Sequence, residues 1–289
     1  MHFSEKTIRE LLNKYGFKFS KSMGQNFLID GNIPEKIVRL SGIDEGCGVL
    51  EVGPGIGALT IELSRAAGRV TAVELDGRLL PILEEILIGQ HNVDIVRGDI
   101  LKLDIKKLVN EVMPGLKHHV CANLPYNITT PTLTAFISAG VFETITVMVQ
   151  REVARRICAD PGSKDYGAFS VYAQFHTKPQ TLFDVPPECF MPRPKVFSSV
   201  VIMHARNERI LSPEVETLFF SVVRAAFGQR RKTLANALFS AFASSIGKAE
   251  ISEIIVQCGF DPLTRGETLS IEDFSKLTKQ ILFLQNSKK

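Results

Sequence analysis

The sequence predicts an α/β domain followed by a smaller, all-helical domain. Between residues 48 and about 205, short β-branched runs alternate with amphipathic stretches, as a parallel sheet with crossover helices requires. After about residue 205, the apolar residues recur near a period of 3.6, which is typical of helices. A chain of 289 residues suits one large or two modest domains. We therefore expect domains at 1–205 and 206–289.

The predicted sheet has parallel and antiparallel parts. Two later segments, 180–185 and 196–204, are expected to form an antiparallel edge of the same sheet. Four prolines at 186, 187, 192 and 194 separate these segments and predict a rigid surface loop. The parallel strands are expected at 48–52, 69–74, 93–97, 119–122 and 144–149.

Helices are predicted on both sides of the domain boundary. In the α/β domain, segments 58–67 and 79–88 carry helical periodicity between strands. Turn or capping residues such as Pro213, Gly247 and Gly259 bound the later helical segments. These later helices are expected at 212–227, 231–245, 248–258 and 271–284.

Composition excludes several classes of protein. Hydrophobic residues make up 45% and charged residues 22% of the chain, which excludes a disordered or fibrous protein. Apolar runs stay well below the ~20 residues that cross a bilayer, and the N-terminus is charged and amphipathic rather than signal-like. We therefore expect a cytoplasmic protein with no membrane partner. The five cysteines are scattered without metal-ligand spacing, so no metal site is expected.

A glycine-rich turn is the first candidate ligand site. Gly53, Gly55 and Gly57 lie between a predicted strand and a predicted helix, where backbone can approach a ligand closely. Glu74 ends the next strand about 20 residues on, where it can accept hydrogen bonds from both ribose hydroxyls of an adenosine. Asp99 follows the third strand and could meet the adenine amino group. Together these residues predict an adenosine-binding crevice.

Two cofactor classes remain open for this crevice. The spacing of Gly53, Gly55 and Ala58 is compatible with a dinucleotide site for nicotinamide or flavin. Gly57 fits better a loop around the carboxypropyl tail of S-adenosyl-L-methionine, and Glu51 before the turn is also typical of that class. The combined pattern favours a methyltransferase.

The tetrapeptide Asn123-Leu124-Pro125-Tyr126 ends the fourth predicted strand, where ligands of open α/β sheets bind. The Asn123 side-chain oxygen and the Leu124 carbonyl can accept the two N–H hydrogens of an exocyclic amine, which directs the nitrogen lone pair towards a methyl donor. Pro125 fixes the turn, and Tyr126 offers a stacking face worth ~1–3 kcal/mol per base. An ordinary turn is the alternative for the isolated tetrapeptide. Its place after the glycine turn, Glu74 and Asp99 favours the chemical role.

These residues belong to an ordered series of motifs that spans nearly the whole chain. The series resembles the bacterial small-subunit rRNA adenine N6,N6-dimethyltransferases, the kasugamycin-sensitivity family. The resemblance implies a Rossmann-like class I methyltransferase sheet in 1–205 and a helical RNA-binding domain in 206–289. The matching motifs are GQNFLID at 24–30, EVGPGIGALT at 51–60, VELD at 73–76, GDI at 98–100, NLPYNI at 123–128, QREVA at 150–154, VPP to FMPRPKV across 185–196 and RRKTL at 230–234.

The resemblance also implies roles for individual residues. Residues 123–126 would hold the target adenine, with Phe190 on its other face, although a core aromatic is an equally simple reading of Phe190. The chain departs from the family at Phe197, where Asp commonly follows the pair Lys195-Val196. The cofactor would be held by Asn26, Leu28, Gly53, Gly55, Glu74, Asp99 and Asn123.

The implied reaction transfers methyl groups from S-adenosyl-L-methionine to N6 of two adjacent adenosines near the 3′ end of small-subunit rRNA. The product is N6,N6-dimethyladenosine. The substrate would be a 30S-type particle in small-subunit biogenesis, and the enzyme would be a monomer. Rival functions are a large-subunit rRNA adenine methyltransferase of the macrolide-resistance type and a non-catalytic nucleic-acid-binding relative. A DNA adenine methyltransferase would lack an evident target-recognition domain.

Basic residues are expected to contact rRNA phosphates. A net charge of +3 is too small to imply nucleic acid, but basic side chains cluster after the fifth predicted strand and in the helical domain. A solvated helix face is the simpler explanation for any one of them. The expected RNA contacts are Arg151, Arg155, Arg156, Arg230, Arg231 and Lys232.

Overall fold

A computed structural model describes residues 5–20, 23–229 and 232–287. The chain divides into two compact units. The first extends to Ala154 and resumes over Pro179–Ala205, and the second contains Arg155–Lys178 and continues from Arg206. The break after residue 205 was expected, but the assignment of 155–178 to the first domain was wrong.

The described residues form nine strands. They are β1 (Phe27–Leu28), β2 (Cys47–Val52), β3 (Arg69–Glu74), β4 (Val93–Arg97), β5 (Lys117–Asn123), β6 (Thr144–Gln150), β7 (Thr177–Val185), β8 (Phe190–Met191) and β9 (Ser198–Ala205). Seven of them build one sheet in the order β4-β3-β2-β5-β6-β9-β7. The strands β4, β3, β2, β5 and β6 are parallel, and β9 runs antiparallel to β6 with Ser198 opposite Gln150, as expected for that edge.

Helices connect the parallel strands and begin at recognisable residues. Asp104 caps α5, because its Oδ1 accepts a hydrogen bond from the Lys107 backbone N–H at 3.0 Å. Gly42 ends α2 in the left-handed region. The helices are α1 (Glu5–Lys14), α2 (Asn32–Ser41), α3 (Ala58–Ala66), α4 (Leu80–Ile86), α5 (Ile105–Val112), α6 (Thr129–Ala139), α7 (Arg151–Ile157), α8 (Ala168–His176), α9 (Pro213–Gly228), α10 (Leu234–Phe242), α11 (Lys248–Gln257) and α12 (Ile271–Ser287).

The central strands are buried along their whole length. All six residues of β2 are buried, as expected for a parallel strand that is covered on both faces. Strand β3 lies on one side of β2 and β5 lies on the other. This change of direction in the strand order is a topological switch point, where open α/β sheets form their ligand crevice.

Strands β1 and β8 form a separate two-stranded ribbon. Phe27 pairs with Met191 and Leu28 pairs with Phe190, and all four side chains are buried. The surface loop expected over 186–195 was therefore wrong for residues 190 and 191. Their apolar side chains join the core of the first unit, and their backbone groups find partners in β1.

The second unit has its own core, with the side chains of Phe219 and Phe274 fully buried. Tyr166 and Phe175 belong to the same core, and the Tyr166 hydroxyl donates to the Leu269 carbonyl at 3.0 Å. These contacts explain why 155–178 falls in this unit, because apolar packing rather than sequence order defines a domain. No helix within the described ranges is long and apolar enough to cross a membrane.

Candidate active site

A cavity of about 250 Å³ lies where strands β2 to β5 end. The structure brings the predicted cofactor residues and the predicted adenine-holding tetrapeptide to this one cavity. The predicted residues that line it are Asn26, Leu28, Gly53, Gly55, Glu74, Asp99, Asn123, Leu124, Pro125 and Tyr126.

The glycine turn forms a cradle that a side chain would fill. Gly53 and Gly55 have φ angles of 68° and 59°, in the left-handed region that favours glycine. A Cβ atom at Gly55 would lie 2.9 Å from Cδ1 of Phe27, which is closer than real Cβ contacts allow. Gly57 precedes α3 with a φ of 79°. Gly53 and Gly55 also line the cavity, so the wall there is backbone rather than side chain.

Glu74 is a buried carboxylate on the wall of the cavity. Its Oε1 accepts a hydrogen bond from the Asp76 backbone N–H at 2.7 Å. Burial raises the pKa of Glu74 to about 7. Asp99 is more exposed, with Oδ1 accepting from the Leu101 N–H at 3.1 Å and Oδ2 lying 3.7 Å from Lys102 Nζ. Both acidic residues line the cavity, and their oxygens are of the kind that accepts hydrogen bonds from hydroxyl and amino donors.

Glu51 supplies a second buried carboxyl group. It is 1% exposed, and its Oε2 has no hydrogen-bond partner among the described residues. Burial raises its pKa to about 8. An unpartnered buried acceptor is costly unless a ligand donor pairs with it. The cradle, Glu74 and this acceptor together fit a ligand with an adenosine at one end and a charged amino-acid group at the other.

The raised carboxyl pKa values predict that unfolding becomes easier as pH rises. Below pH 4.5, Glu51 is protonated in both the folded and the unfolded state, so it does not make the free energy of unfolding change with pH. Between pH 4.5 and about 8, only the folded state keeps the proton, so the free energy of unfolding falls by up to ~1.4 kcal/mol per pH unit. Glu74 adds to this fall up to about pH 7. Thermal melts from pH 5 to pH 8 should show a falling melting temperature.

The substitution Glu51→Gln isolates one part of this effect. We expect the variant to lose less melting temperature between pH 5 and pH 8 than the unaltered protein, because its amide does not titrate. Glu111→Gln on α5 is the matched control, since the Glu111 side chain is 62% exposed. Equal pH slopes in the Glu51 variant and the unaltered protein would contradict the assignment.

Asn123 is oriented by the segment that carries Asn26. Its Nδ2 donates a hydrogen bond to the Asn26 carbonyl at 3.1 Å, which leaves Oδ1 as the acceptor for a substrate amine. Gly24 adopts a φ of 63°, and a Cβ atom there would lie 2.7 Å from Asn127 Oδ1. Segment 24–28 therefore abuts the tetrapeptide directly.

The two aromatic residues expected to hold the base differ in position. Tyr126 lines the cavity, and its hydroxyl lies 2.6 Å from Ser198 Oγ in a hydrogen bond. Phe190 is absent from the cavity wall and only 2% exposed. The structure therefore does not place Phe190 against a base. Its pairing with Leu28 in the ribbon holds it in the core.

The predicted RNA-contacting residues fall in different surroundings. Arg151 has its guanidinium carbon 4.6 Å from the centre of the Phe197 ring and Nη1 3.7 Å from Asp184 Oδ2. Phe197, which departs from the family pattern, thus supplies a cation–π partner. The side chains of Arg155 and Lys232 are exposed, and Arg156 is half-buried. Arg230 and Arg231 lie outside the described residues.

Several residues at the site were not assigned a role from the sequence. Gln25 Nε2 donates to Asp76 Oδ2 at 2.8 Å, and Arg78 binds the same carboxylate at 2.6 Å. The Arg78 guanidinium holds the pKa of Asp76 below its ordinary value. Both Gln25 and Asp76 stand within matched motifs, but a partner 51 residues away is not visible in the spacing.

Comparison with known proteins identifies the family. A family model described as ribosomal RNA adenine dimethylase matches residues 16–280. Ribosomal RNA small subunit methyltransferase A of Alkaliphilus oremlandii is 46% identical over 279 residues, which cover 96% of this chain and 97% of that protein. The protein of the same name from Clostridioides difficile is also 46% identical over 279 residues, with 96% of each chain covered.

Solved structures agree with this match. The crystal structure of the 23S rRNA methyltransferase ErmE has a TM-score of 0.70 and 25% identity, and covers 88% of this chain and 98% of that chain. A dimethyladenosine transferase from Plasmodium falciparum has a TM-score of 0.75 at 23% identity, covering 89% and 98%, and shows the shared fold. The match over residues 16–280 and the identity to these relatives show that the chain belongs to the ribosomal RNA adenine dimethylase family.

Proposed function

We propose that this enzyme transfers methyl groups from S-adenosyl-L-methionine to N6 of two adjacent adenosines near the 3′ end of small-subunit rRNA. It acts in the cytoplasm, as a monomer, on a 30S-type particle during small-subunit biogenesis. One observation carries the proposal. Asn123 lines the cavity, with its Nδ2 donating to the Asn26 carbonyl and its Oδ1 left to accept an amine hydrogen.

Different residues of the cavity would hold different parts of the cofactor. Glu74 would accept hydrogen bonds from the ribose hydroxyls, and Asp99 would accept one from the adenine amino group. Gly53 and Gly55 allow backbone to approach the methionyl part, and Asn26 and Leu28 close the site along β1. When bound, S-adenosyl-L-methionine supplies a methyl group on a sulfonium, which is a good leaving group.

The tetrapeptide prepares the adenine for attack. The Asn123 Oδ1 and the Leu124 carbonyl accept the N6 hydrogens and favour a pyramidal nitrogen whose lone pair points at the methyl carbon. The ring of Tyr126 stacks on the base. Positioning supplies most of the rate, so the proton leaves to water without a strong general base. At the second transfer only one N–H remains, and a single acceptor suffices.

The relatives favour the small-subunit substrate over the rival functions. Proteins named small subunit methyltransferase A are 46% identical to the chain, whereas the large-subunit enzyme ErmE is 25% identical. An intact tetrapeptide also argues against a non-catalytic relative. The deciding experiment incubates the protein and methyl donor with small and large ribosomal subunits and analyses each rRNA by mass spectrometry. We expect dimethyladenosine in small-subunit rRNA, and a product confined to large-subunit rRNA would overturn the proposal.

Basic residues in the second unit are proposed to contact rRNA phosphates. We expect Arg230→Ala, Arg231→Ala and Lys232→Ala together to weaken RNA binding and to reduce the slope of log K against log salt by ~0.7–0.9 per lost contact. Cofactor affinity should not change. Filter binding at several salt concentrations measures the slope.

The matched control for this triple variant removes three exposed lysines of the first unit. Lys6, Lys106 and Lys107 lie on the exposed faces of α1 and α5. We expect their replacement by alanine to leave the salt slope nearly unchanged. Equal slopes for the unaltered protein and the Arg230 to Lys232 variant would reject the phosphate contacts.

A further inference from the structure

A hydroxyl pair joins the catalytic turn to the start of strand β9, at the same rim of the sheet. Tyr126 Oη and Ser198 Oγ lie 2.6 Å apart, although the two residues are 72 positions apart in the chain. Ser198 is fully buried and begins β9, where it pairs with Gln150 of β6. Tyr126 is half-buried and lines the cavity. The residue therefore borders the cavity, and its hydroxyl is hydrogen-bonded to a strand.

This contact restricts the Tyr126 ring. A tyrosine side chain turns about two bonds. A hydrogen bond at its hydroxyl fixes the rotation about Cα–Cβ, which sets where the ring lies, whereas rotation about Cβ–Cγ leaves the hydroxyl in place. The anchor is itself rigid, because Ser198 lies in β9, which pairs with β6 over seven residues, from Ser198 opposite Gln150 to His204 opposite Thr144. A stacking surface that is ordered before the base arrives loses less conformational entropy on binding.

The neighbouring serine shows that the contact is specific. Ser199 is also buried, but its Oγ donates to Asp184 Oδ1 at 2.6 Å and takes no part in the contact with Tyr126. Successive residues of a strand point to opposite faces, which explains the different partners. Ser198 and Ser199 therefore differ in what they touch while sharing residue type, strand and burial.

We propose that Ser198 is a positioning residue for methyl transfer, which holds the Tyr126 side chain in the direction that brings its ring to the target adenine. The proposal rests on the proposed function, in which Tyr126 carries the stacking contact. Ser198 touches neither the base nor the cofactor cavity, and it acts through the tyrosine hydroxyl alone.

The first test observes the tyrosine ring without any RNA. The chain has four tyrosines and no tryptophan, so ring-labelled tyrosine gives a simple NMR spectrum in which Tyr126→Phe assigns one signal. We expect Ser198→Ala to shift and broaden the Tyr126 ring signals, and Ser199→Ala to leave them in place. Unchanged Tyr126 signals in the Ser198 variant would overturn the proposal.

The second test measures stacking and turnover. An rRNA hairpin with 2-aminopurine at the target position reports stacking through quenched fluorescence. We expect Ser198→Ala to reduce the quenching and to lower kcat/KM on unmodified RNA by about 3- to 10-fold, the effect of one hydrogen bond. Cofactor affinity, measured by calorimetry, should stay unchanged, and Ser199→Ala should behave as the unaltered protein does.

A double-variant cycle completes the design. Because Ser198→Ala and Tyr126→Phe remove the same hydrogen bond from opposite sides, the double variant should lose no more activity than the more impaired single variant. If the activity losses of the two single variants multiply in the double variant, the proposal is overturned. If the Ser198 variant folds poorly, Tyr126→Phe still removes the same hydrogen bond and can be compared with the unaltered protein. Absence of methyl transfer by the unaltered protein would overturn the proposed function instead, and the NMR comparison would still decide whether Ser198 orders Tyr126.

Discussion

Replacement of Asn123 by alanine is expected to lower kcat for methyl transfer by about 10²- to 10³-fold, as loss of one preorganised electrostatic contact at a reacting group does. The side-chain oxygen that accepts an N6 hydrogen is lost, so the nitrogen lone pair is no longer directed at the methyl carbon. Folding should change little, since the residue gives up a single hydrogen bond to the Asn26 carbonyl. We expect the free energy of unfolding to fall by no more than ~1.5 kcal/mol.

Single-turnover methylation at saturating RNA and cofactor measures the effect, and thermal melts measure the stability. Asn110→Ala is the matched control, because Asn110 is exposed on α5. It should leave both the rate and the melting temperature almost unchanged. Near-normal turnover by the Asn123 variant would remove this residue from the reaction.

Glu74→Ala is expected to raise the dissociation constant of S-adenosyl-L-methionine by about 10- to 100-fold. The variant loses hydrogen bonding of the ribose to a charged acceptor, and a 10- to 100-fold change corresponds to ~1.4–2.7 kcal/mol, about the net value of one such bond. Below pH 7 the effect should be smaller, because the unaltered protein must first ionise a buried carboxyl whose pKa is about 7. The rate at saturating cofactor should change much less than the affinity.

Isothermal calorimetry at pH 8, where Glu74 is mostly ionised, measures this affinity. The same measurement at pH 6 should give weaker binding to the unaltered protein, and the Glu74 variant should lose this pH dependence. Asp99→Ala provides a comparison, and we expect a smaller effect because its side chain is more exposed and meets one amino group. A dissociation constant within twofold of the unaltered value would show that Glu74 does not hold the cofactor.

The sheet and the cavity could be predicted because both follow from short-range patterns. Strands β3 and β4 begin and end at the residues that the sequence indicates. Each is a β-branched run bounded by turn residues, and such runs are strong strand signals. Parallel strands also bring their carboxyl ends to one edge, so Gly53, Glu74 and Asn123 had to lie close together once the strand order was known.

The ribbon and the hydroxyl pair could not be predicted in the same way. Strands β1 and β8 have two residues each, which is too short for any periodicity to appear. The partner of Tyr126 is Ser198, 72 positions away, and no pattern in the sequence distinguishes it from the other serines. Segment 155–178, which contains α8, was assigned to the wrong domain for a related reason, because burial of Phe175 in the second unit depends on residues far along the chain.

The direction of β9 decides at which rim of the sheet Ser198 lies. Because β9 is antiparallel to β6, it starts at the same rim of the sheet as the end of β6, with Ser198 beside Gln150. Its eight residues span roughly 25 Å at ~3.3 Å each, so a strand pointing the other way would begin on the opposite rim, well beyond reach of Tyr126. The antiparallel direction of β9 thus brings Ser198, from the second half of the chain, into contact with Tyr126, from the first half.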